Sequence, residues 1–333
     1  MDETSGRAHP WVLVTDGANG QARSTLATVR ALAVAGYRPA VTVSGRYSIA
    51  GASRFCRRRV RVPPANETGF AGAVRDEITA RAYVAVLPAS DAAIVALDAP
   101  GRQFVDKGSL GELARKAGVP TPRSQSFGSR EELLDAASDL EYPAVVKSIY
   151  SFRTPAFRVE RPEDLTAARI AEGPLLVQPY LPGCLRAVAG VVWDGQLVAA
   201  IHQRYHRTWP PDCGTASAAE TVVPDRELEE RLLALLAGYE GIFQAQLAGD
   251  LLLDVNPRVY GSLPLAVAAG ANLPAVWCGL LRGQLASGVI RARPGVFYRW
   301  IEGDLRHEIE RRCAVPVHAV PVPAPSHRST RAG

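Results

Sequence analysis

The stretch LLLDVNPRVYGS, residues 251–262, carries polar side chains at alternating positions after three leucines. Side chains two residues apart in a β-strand share a face. Asp254 and Asn256 are therefore expected on one face, with Leu253 and Val255 on the other face against the core. A carboxylate and an amide at the end of an apolar strand indicate one of two things. They form a binding site, or they are the polar face of a sheet next to a turn.

The segment before it, GIFQAQL (241–247), is typical of the first strand of a hairpin. If residues 248–250 form a three-residue loop, Gln246 lies diagonal to Asp254 on the same face. Two or three oxygens with open positions suit Mg²⁺, which proteins usually share with substrate phosphates. Arg258, the next residue on that face, would contact a transferring phosphoryl group.

Composition limits the classes of function. A chain of 333 residues that is 47% hydrophobic and 21% charged is long enough for two or three packed modules. The basic residues are scattered, apart from a cluster at 57–61 and the tail after His327. No basic helix face alternates with aromatics, so we expect no nucleic-acid partner and interpret the cluster as a solvated arginine-rich face.

The cysteines and the apolar runs predict the compartment. The five cysteines are dispersed and form no CxxC pair, which argues against a disulfide framework or a zinc site. No uninterrupted apolar run has the length of a membrane span, and no charged-then-apolar leader stands at the start. We expect a cytoplasmic protein with no membrane partner.

Short apolar runs alternate with a helical pattern over the first hundred residues. The strands WVLVT (11–15), PAVTV (39–43) and YVAVLP (83–88), with a helix at 21–36, predict an open parallel sheet. Ligands of such sheets bind at the carboxyl ends of the strands. An NAD site is disfavoured because only Gly17 and Gly20 are available and G-x-G-x-x-G is absent.

The remainder of the chain follows a different pattern. Ser109 is predicted to cap a helix that ends at Gly118. Two antiparallel strands, 187–193 and 196–205, are joined at Asp194-Gly195. A helix at 225–237 precedes the hairpin, two helices at 262–283 follow it, and the tail from Pro316 is predicted to be disordered.

From Asp106 to Trp277 the order of these motifs resembles the ATP-grasp superfamily, in its carbamoyl-phosphate-synthetase-like and carboxylate-amine ligase branch. The resemblance implies α/β and α+β architecture, with an N-terminal open parallel α/β domain before a two-subdomain ATP-grasp fold. The implied divisions are an N-terminal domain (1–105), a small subdomain with its linker helix (106–180), a large subdomain (181–300) and a C-terminal extension (301–333).

The resemblance also implies a nucleotide site. Lys107 in VDK and Lys147 in YPAVVKS match the family's phosphate-binding lysines. VQPYLPG (177–183) resembles the hinge, where the main-chain carbonyl of Gln178 and the amide of Leu181 would bind adenine. ATP is the implied nucleotide.

The family's metal trio, usually Glu, Glu and Asn, matches Gln246, Asp254 and Asn256, which would hold Mg²⁺ or Mn²⁺. Arg258 and Arg204 match phosphate-contacting arginines and are the predicted catalytic residues. The chain departs from the family in three ways: Gln246 replaces a carboxylate, no acid follows the hinge at 184–186, and SIYSFRTPAF (148–157) contains no glycine.

The implied activity is an ATP-dependent ligase that activates a small-molecule carboxylate as an acyl phosphate for attack by an amine. Arg54 and Ser90 are the predicted substrate contacts, and a homodimer is possible in this superfamily. One alternative is a degenerate protein that binds a nucleotide or small acid without turnover. Another is an enzyme that activates bicarbonate. His202 and His206, which alternate with Arg204 on one strand face, are interpreted as half-exposed polar residues rather than as a metal site.

Overall fold

The computed structural model describes residues 9–16, 23–150, 156–168, 170, 172–284 and 287–313. Gly17 and Gly20, residues 151–155 of the glycine-free loop and the tail from Pro316 lie outside the described residues. Within those ranges, no helix combines the length and the apolar character that a bilayer crossing requires.

The first sheet is parallel, as the strand-helix alternation predicts. Its strand order is β3-β2-β1-β4, and each neighbouring pair runs in the same direction. The strands and helices of this unit are β1 (Trp11–Val14), α1 (Arg23–Val34), β2 (Arg38–Val43), β3 (Arg58–Arg61), α2 (Phe70–Ala80), β4 (Ala85–Leu87), α3 (Asp91–Ala96) and α4 (Arg102–Val105).

The arginine cluster forms the edge strand β3, which the sequence did not predict as a strand. The side chains of Arg57, Arg58, Arg59 and Arg61 are exposed, as expected for a solvated face. Arg58 Nε lies 2.8 Å from Glu77 Oε1 on α2, which ties the edge strand to the neighbouring helix.

The second sheet is antiparallel, with strand order β5-β8-β6-β7. Its leading helix, α5, begins at Lys107 because Asp106 is the N-cap and accepts from the backbone nitrogens of Gly108 (2.9 Å) and Ser109. The predicted cap at Ser109 is therefore wrong. The elements are α5 (Lys107–Lys116), β5 (Gln125–Phe127), α6 (Arg130–Asp135), a 3-10 turn (Ala137–Asp139), β6 (Ala144–Ser148), β7 (Phe157–Val159), α7 (Pro162–Ala167) and β8 (Leu175–Pro179).

The third sheet has the order β13-β12-β9-β10-β11-β15, and β14 pairs with β10. One face packs against α5 and α8, and the other packs against α9, α10 and the first sheet's unit. The elements are β9 (Leu185–Trp193), β10 (Gln196–Trp209), β11 (Thr215–Thr221), α8 (Arg226–Leu235), β12 (Gly241–Ala248), β13 (Leu251–Asn256), α9 (Leu263–Ala268), α10 (Leu273–Leu280), β14 (Ile290–Arg291), β15 (Phe297–Arg299) and α11 (Ile301–Cys313).

The β12–β13 hairpin differs from the sequence prediction. Ala248 pairs with Leu251 across a two-residue turn, in which Gly249 has a left-handed φ of 56°. Gln246 pairs directly with Asp254, whereas the next pair joins residues 247 and 252. The extra residue, Leu253, forms a β-bulge.

The bulge changes which apolar side chains reach the core. Leu252 and Val255 are buried, whereas Leu253 is only half-buried and lines a cavity. The prediction was right for Val255 and wrong for Leu253. Because of the bulge, Asp254 and Asn256 point to the same side of the sheet as Gln246.

Candidate functional site

A cavity of about 380 Å³ lies between the second and third sheets. Its wall combines the end of β6, the link after β8, the β12–β13 hairpin and the turn between β10 and β11. Eight residues that sequence analysis singled out line it together: Lys107, Lys147, Gln178, Leu181, Gln246, Asp254, Asn256 and Arg258.

Lys147 enters the cavity from β6. Its ammonium donates to the backbone oxygen of Leu253, 3.0 Å away, which is the residue of the bulge. Burial, together with the nearby charge of Lys107, lowers the pKa of Lys147 from 10.5 to about 8. A buried ammonium with one neutral partner is suited to receive an anion.

Lys107 approaches the same point from the first turn of α5. Its Nζ lies 2.5 Å from Oδ1 of Asp254, and both side chains are largely buried. Two of the chain's three lysines therefore meet at one end of the cavity. The two ammonium groups suit this end of the cavity to phosphate oxygens.

Amide side chains surround the single carboxylate. Nε2 of Gln246 donates to Tyr205 Oη (3.4 Å), and Nε2 of Gln244 donates to the same oxygen (3.3 Å). Tyr205 thus orients both amides and leaves their carbonyl oxygens free to face the cavity. Burial raises the pKa of Tyr205 to about 12, so the hydroxyl stays protonated at neutral pH.

The donor set determines which cation fits. Gln246, Asp254 and Asn256 supply one carboxylate and two amide oxygens on one sheet face. Among the described residues, no group of three His, Cys, Asp or Glu side chains forms a metal site. Such a set fits a hard cation that takes most of its ligands from phosphate and water, as Mg²⁺ does.

Arg258 joins this end of the cavity to the N-terminal unit. Its guanidinium donates to Oδ1 of Asn256 (2.7 Å) and to Oδ1 of Asp91 on α3 (2.5 Å). The two contacts fix the planar group at the cavity wall. Asn256 and Arg258 are therefore positioned as one unit.

The other end of the cavity is apolar. Val145, Leu185, Leu247 and Leu253 line it, and Tyr180 closes its edge. The guanidinium of Arg158 stacks on Tyr180 at 3.8 Å from the ring centroid. Nε2 of Gln178 donates to Ser124 Oγ (2.8 Å), which fixes the amide of this side chain.

Comparisons with known proteins agree with this architecture. Residues 171–304 match the family model described as ATP-grasp in the biosynthetic pathway with Ter operon. Carboxyaminoimidazole ribonucleotide synthase from Aspergillus clavatus, complexed with ATP, superposes with a TM-score of 0.65 at 18% identity, covering 86% of this chain and 80% of that one.

The chain has the ATP-grasp fold. An L-amino acid ligase from Bacillus licheniformis has the same fold, with a TM-score of 0.61 at 15% identity, covering 83% of this chain and 75% of that one. The carbamoyl phosphate synthase large chain of Thermus thermophilus is 27% identical over 187 residues, which are 50% of this chain and 18% of that one. The chain spans about a fifth of the length of the curated relatives it matches.

Arg204 lies outside the cavity lining. It projects from β10 on the side opposite Tyr205, is 53% exposed, and pairs with Glu220 on β11. Side chains alternate between the two faces of a strand. Residues 203 and 205 face the side of the cavity, so residue 204 faces the opposite side. The structure does not bring Arg204 together with the other predicted catalytic residue.

The two histidines beside Arg204 have partners of their own. His202 is buried, and its Nε2 lies 2.9 Å from Glu229 on α8. His206 Nε2 lies 3.5 Å from Oε1 of Glu220 on β11. The alternation of polar residues at 202, 204 and 206 is therefore explained by contacts with the neighbouring strand β11 and with helix α8.

The predicted substrate contacts also lie outside the cavity lining. Arg54 is exposed and rests over Phe55, with its guanidinium carbon 4.9 Å from the ring centroid. Ser90 is the N-cap of α3, and its Oγ accepts from the backbone nitrogen of Ala93 (3.2 Å). The next residue, Asp91, contacts Arg258, so only this neighbour of Ser90 reaches the site.

Sequence analysis assigned no role to Arg186, Tyr205 and Asp212, which also line the cavity. Arg186 stands where the family has an acid after the hinge, and it donates to the Gly249 carbonyl (2.7 Å) and to Asp250 (2.5 Å). The alternation of residues 202 to 206 was a usable signal for Tyr205. Asp212 pairs with Arg158, at 3.0 Å. The two residues are 54 positions apart in the sequence, so no local pattern indicates this contact.

Proposed function

We propose that this chain is an ATP-dependent ligase that activates a small-molecule carboxylate as an acyl phosphate for attack by an amine. The observation that carries the proposal is the convergence of eight predicted residues on one cavity. They come from four separate regions of the sequence, and a merely structural polar face would not require two lysines, an arginine and three oxygen ligands there.

The two ends of the cavity bind different parts of the nucleotide. The apolar end between Val145 and Leu247 fits a purine base, with the main chain of Gln178 and Leu181 as its hydrogen-bonding partners. Lys107 and Lys147 hold the phosphates at the other end. Arg258 neutralises the charge that develops on the transferred phosphoryl group.

Phosphoryl transfer depends mainly on positioning and charge neutralisation, so no nucleophilic side chain is required. A carboxylate oxygen of the substrate bonds to the γ-phosphorus as the bond to ADP breaks. The amine nitrogen then attacks the acyl carbon, loses a proton, and inorganic phosphate leaves.

Gln246, Asp254 and Asn256 are the residues that would hold Mg²⁺ or Mn²⁺, which when bound supplies further neutralisation of phosphate charge. With a single carboxylate, the protein alone binds the cation weakly, and the nucleotide supplies the remaining ligands. The Lys107–Asp254 ion pair supports this view, because the carboxylate already has a cationic partner.

The proposal is tested by Mg-ATP binding to wild-type protein and to Lys147→Met, measured by isothermal titration. Losing a charged hydrogen bond of about 1.5–3 kcal/mol predicts about 10- to 100-fold weaker binding. Lys116→Met is the matched control, since Lys116 pairs with Glu112 on the surface of α5. Equal ATP affinity in all three proteins would contradict the proposed nucleotide cavity.

A further inference from the structure

Arg23, the first residue of α1, lies where the N-terminal unit meets the third sheet. Its guanidinium carbon stacks 3.5 Å from the ring centroid of Trp300. Nη1 donates to Tyr298 Oη (2.9 Å), and Nη2 donates to Thr215 Oγ1 (3.1 Å). Side chains from β11 and β15, together with Trp300 directly after β15, therefore hold this side chain in one orientation.

The charge of Arg23 is not matched by an acid. Among the residues that the structure describes, no carboxylate pairs with it, and both of its hydrogen-bond partners are neutral hydroxyls. Glu302 acts on it only at longer range and is itself exposed and paired with Arg306 (2.8 Å). Burial lowers the pKa of Arg23, which reflects the cost of a half-buried cation without an anion.

The guanidinium stands directly behind the cavity wall. Thr215, its hydrogen-bond partner, lines the cavity, as does Gly261. A Cβ atom added to Gly261 would lie 3.2 Å from Nη2 of Arg23, so the absent side chain keeps this approach open. Gly261 follows Arg258 by three residues, which places Arg23 at the end of the cavity where phosphoryl transfer is proposed.

We infer that Arg23 binds an anionic group of the acid or amine substrate, separate from the carboxylate that is activated. The inference rests on the proposed function. An arginine has five N–H donors, and the described contacts use two of them. Nε and one N–H of each Nη remain, and the Nε–Nη edge matches the two oxygens of a carboxylate. The substrate class is thus a dicarboxylic acid, an amino acid or a phosphorylated acid.

The test is isothermal titration of succinate and of inorganic phosphate into wild-type protein, Arg23→Met and Arg38→Met at low ionic strength. Arg38 is the matched control, since it also stacks on a tryptophan, Trp11, at 4.2 Å. We expect wild-type and Arg38→Met to bind at least one anion equally and Arg23→Met to bind it at least 10-fold more weakly. The anion that binds more tightly identifies the group as carboxylate or phosphate.

Binding that is absent in wild-type protein, or unchanged in Arg23→Met, overturns the inference. Mg-ATP affinity of the wild-type protein is measured on the same samples, so that a failure of the nucleotide site is distinguished from a failure of the anion site. If wild-type protein does not bind ATP, the result contradicts the proposed function instead.

A second measurement avoids variants altogether, in case Arg23→Met does not fold. Phenylglyoxal modification of wild-type protein is followed residue by residue by peptide mass mapping, with and without the anion that binds. The anion should slow the modification of Arg23 several-fold and leave that of Arg38 unchanged. Equal rates at Arg23 would refute the inference.

Discussion

Lys107 and Asp254 form an ion pair inside the cavity, with Nζ of the lysine 2.5 Å from Oδ1 of the aspartate. The pair joins the first turn of α5 to the bulged strand β13. A proposed phosphate ligand and the only carboxylate of the proposed metal trio thus neutralise each other in the nucleotide-free protein. Phosphate and a divalent cation would have to enter together to replace this contact on both sides.

Removing Lys107 should release Asp254 for metal binding. In Lys107→Met we expect tighter Mn²⁺ binding without nucleotide, because the carboxylate loses its competing ammonium. ATP affinity should fall about 10-fold, in line with one lost charged hydrogen bond. Mn²⁺ titration followed by electron paramagnetic resonance measures the first effect. Lys116→Met is the control, and unchanged Mn²⁺ affinity in Lys107→Met would count against the ion pair's role.

Adding a second carboxylate should strengthen the metal site. Gln246 stands directly opposite Asp254 in the hairpin, so Gln246→Glu places two acids on one cross-strand pair. Without metal, this should cost about 0.2–1 kcal/mol of the free energy of unfolding. With ATP present, half-saturating Mg²⁺ should fall about 10-fold. Gln196→Glu, at an exposed strand end, is the control. No change in Mg²⁺ dependence would favour a protein that binds nucleotide without turnover.

ATP binding should weaken as pH rises above 8. The pKa of Lys147 is about 8 in the free protein, and a bound phosphate would keep the lysine charged. Above pH 8 binding must therefore take up a proton, and the dissociation constant should rise by up to about 10-fold per pH unit. Lys147→Met should lack this dependence. Isothermal titration from pH 7 to 9.5 checks both, and parallel pH profiles for the two proteins would exclude the lysine as the cause.

The same pKa affects stability. Because the folded-state pKa lies below the ordinary value of 10.5, the unfolded chain binds more protons between pH 8 and 10.5. The contribution of Lys147 to the free energy of unfolding should rise with pH over that interval. Urea unfolding of wild-type protein and Lys147→Met at pH 7.5 and 9.5 measures it, and the stability of wild-type protein relative to Lys147→Met should increase at the higher pH.

Arg204 should be dispensable for nucleotide chemistry. It is half-exposed and pairs with Glu220 on the sheet face opposite the cavity. Arg204→Met should change stability by about 0.2–1 kcal/mol or less and leave ATP turnover within about 2-fold. Arg258→Met, by contrast, should lose turnover. Equal losses in the two variants would mean that Arg204 acts on phosphate after all.

The fold was predictable where local pattern and burial agree. The parallel first sheet follows from strand-helix alternation, and the paired strands of residues 187–205 follow from a turn with Asp194 and Gly195. The register of β12–β13 was not predictable from local sequence. The bulge at Leu253 depends both on the geometry of the two-residue turn and on which side chains the core buries. Strand β3 was missed because its arginines mask the single buried residue, Val60.

The candidate site was also predictable only in part. Motif order placed Lys107, Lys147 and Asp254 together, and the structure brings them to one cavity. Arg204 was assigned by resemblance, although strand parity with Tyr205 points it to the other face. The position of Arg23 depends on Tyr298, which is 275 residues distant in sequence. No local pattern encodes a contact of that separation.

The measurement that tests the central claim most directly is ADP release together with hydroxamate formation. Protein, Mg-ATP and hydroxylamine are incubated with pools of carboxylates that include amino acids, dicarboxylates and bicarbonate, with Arg258→Met as the comparison. We predict ADP release and a hydroxamate with at least one pool, both abolished in Arg258→Met, because hydroxylamine traps an acyl phosphate. ADP release and hydroxamate that are both absent across all pools, while Mg-ATP still binds, would contradict ligase activity.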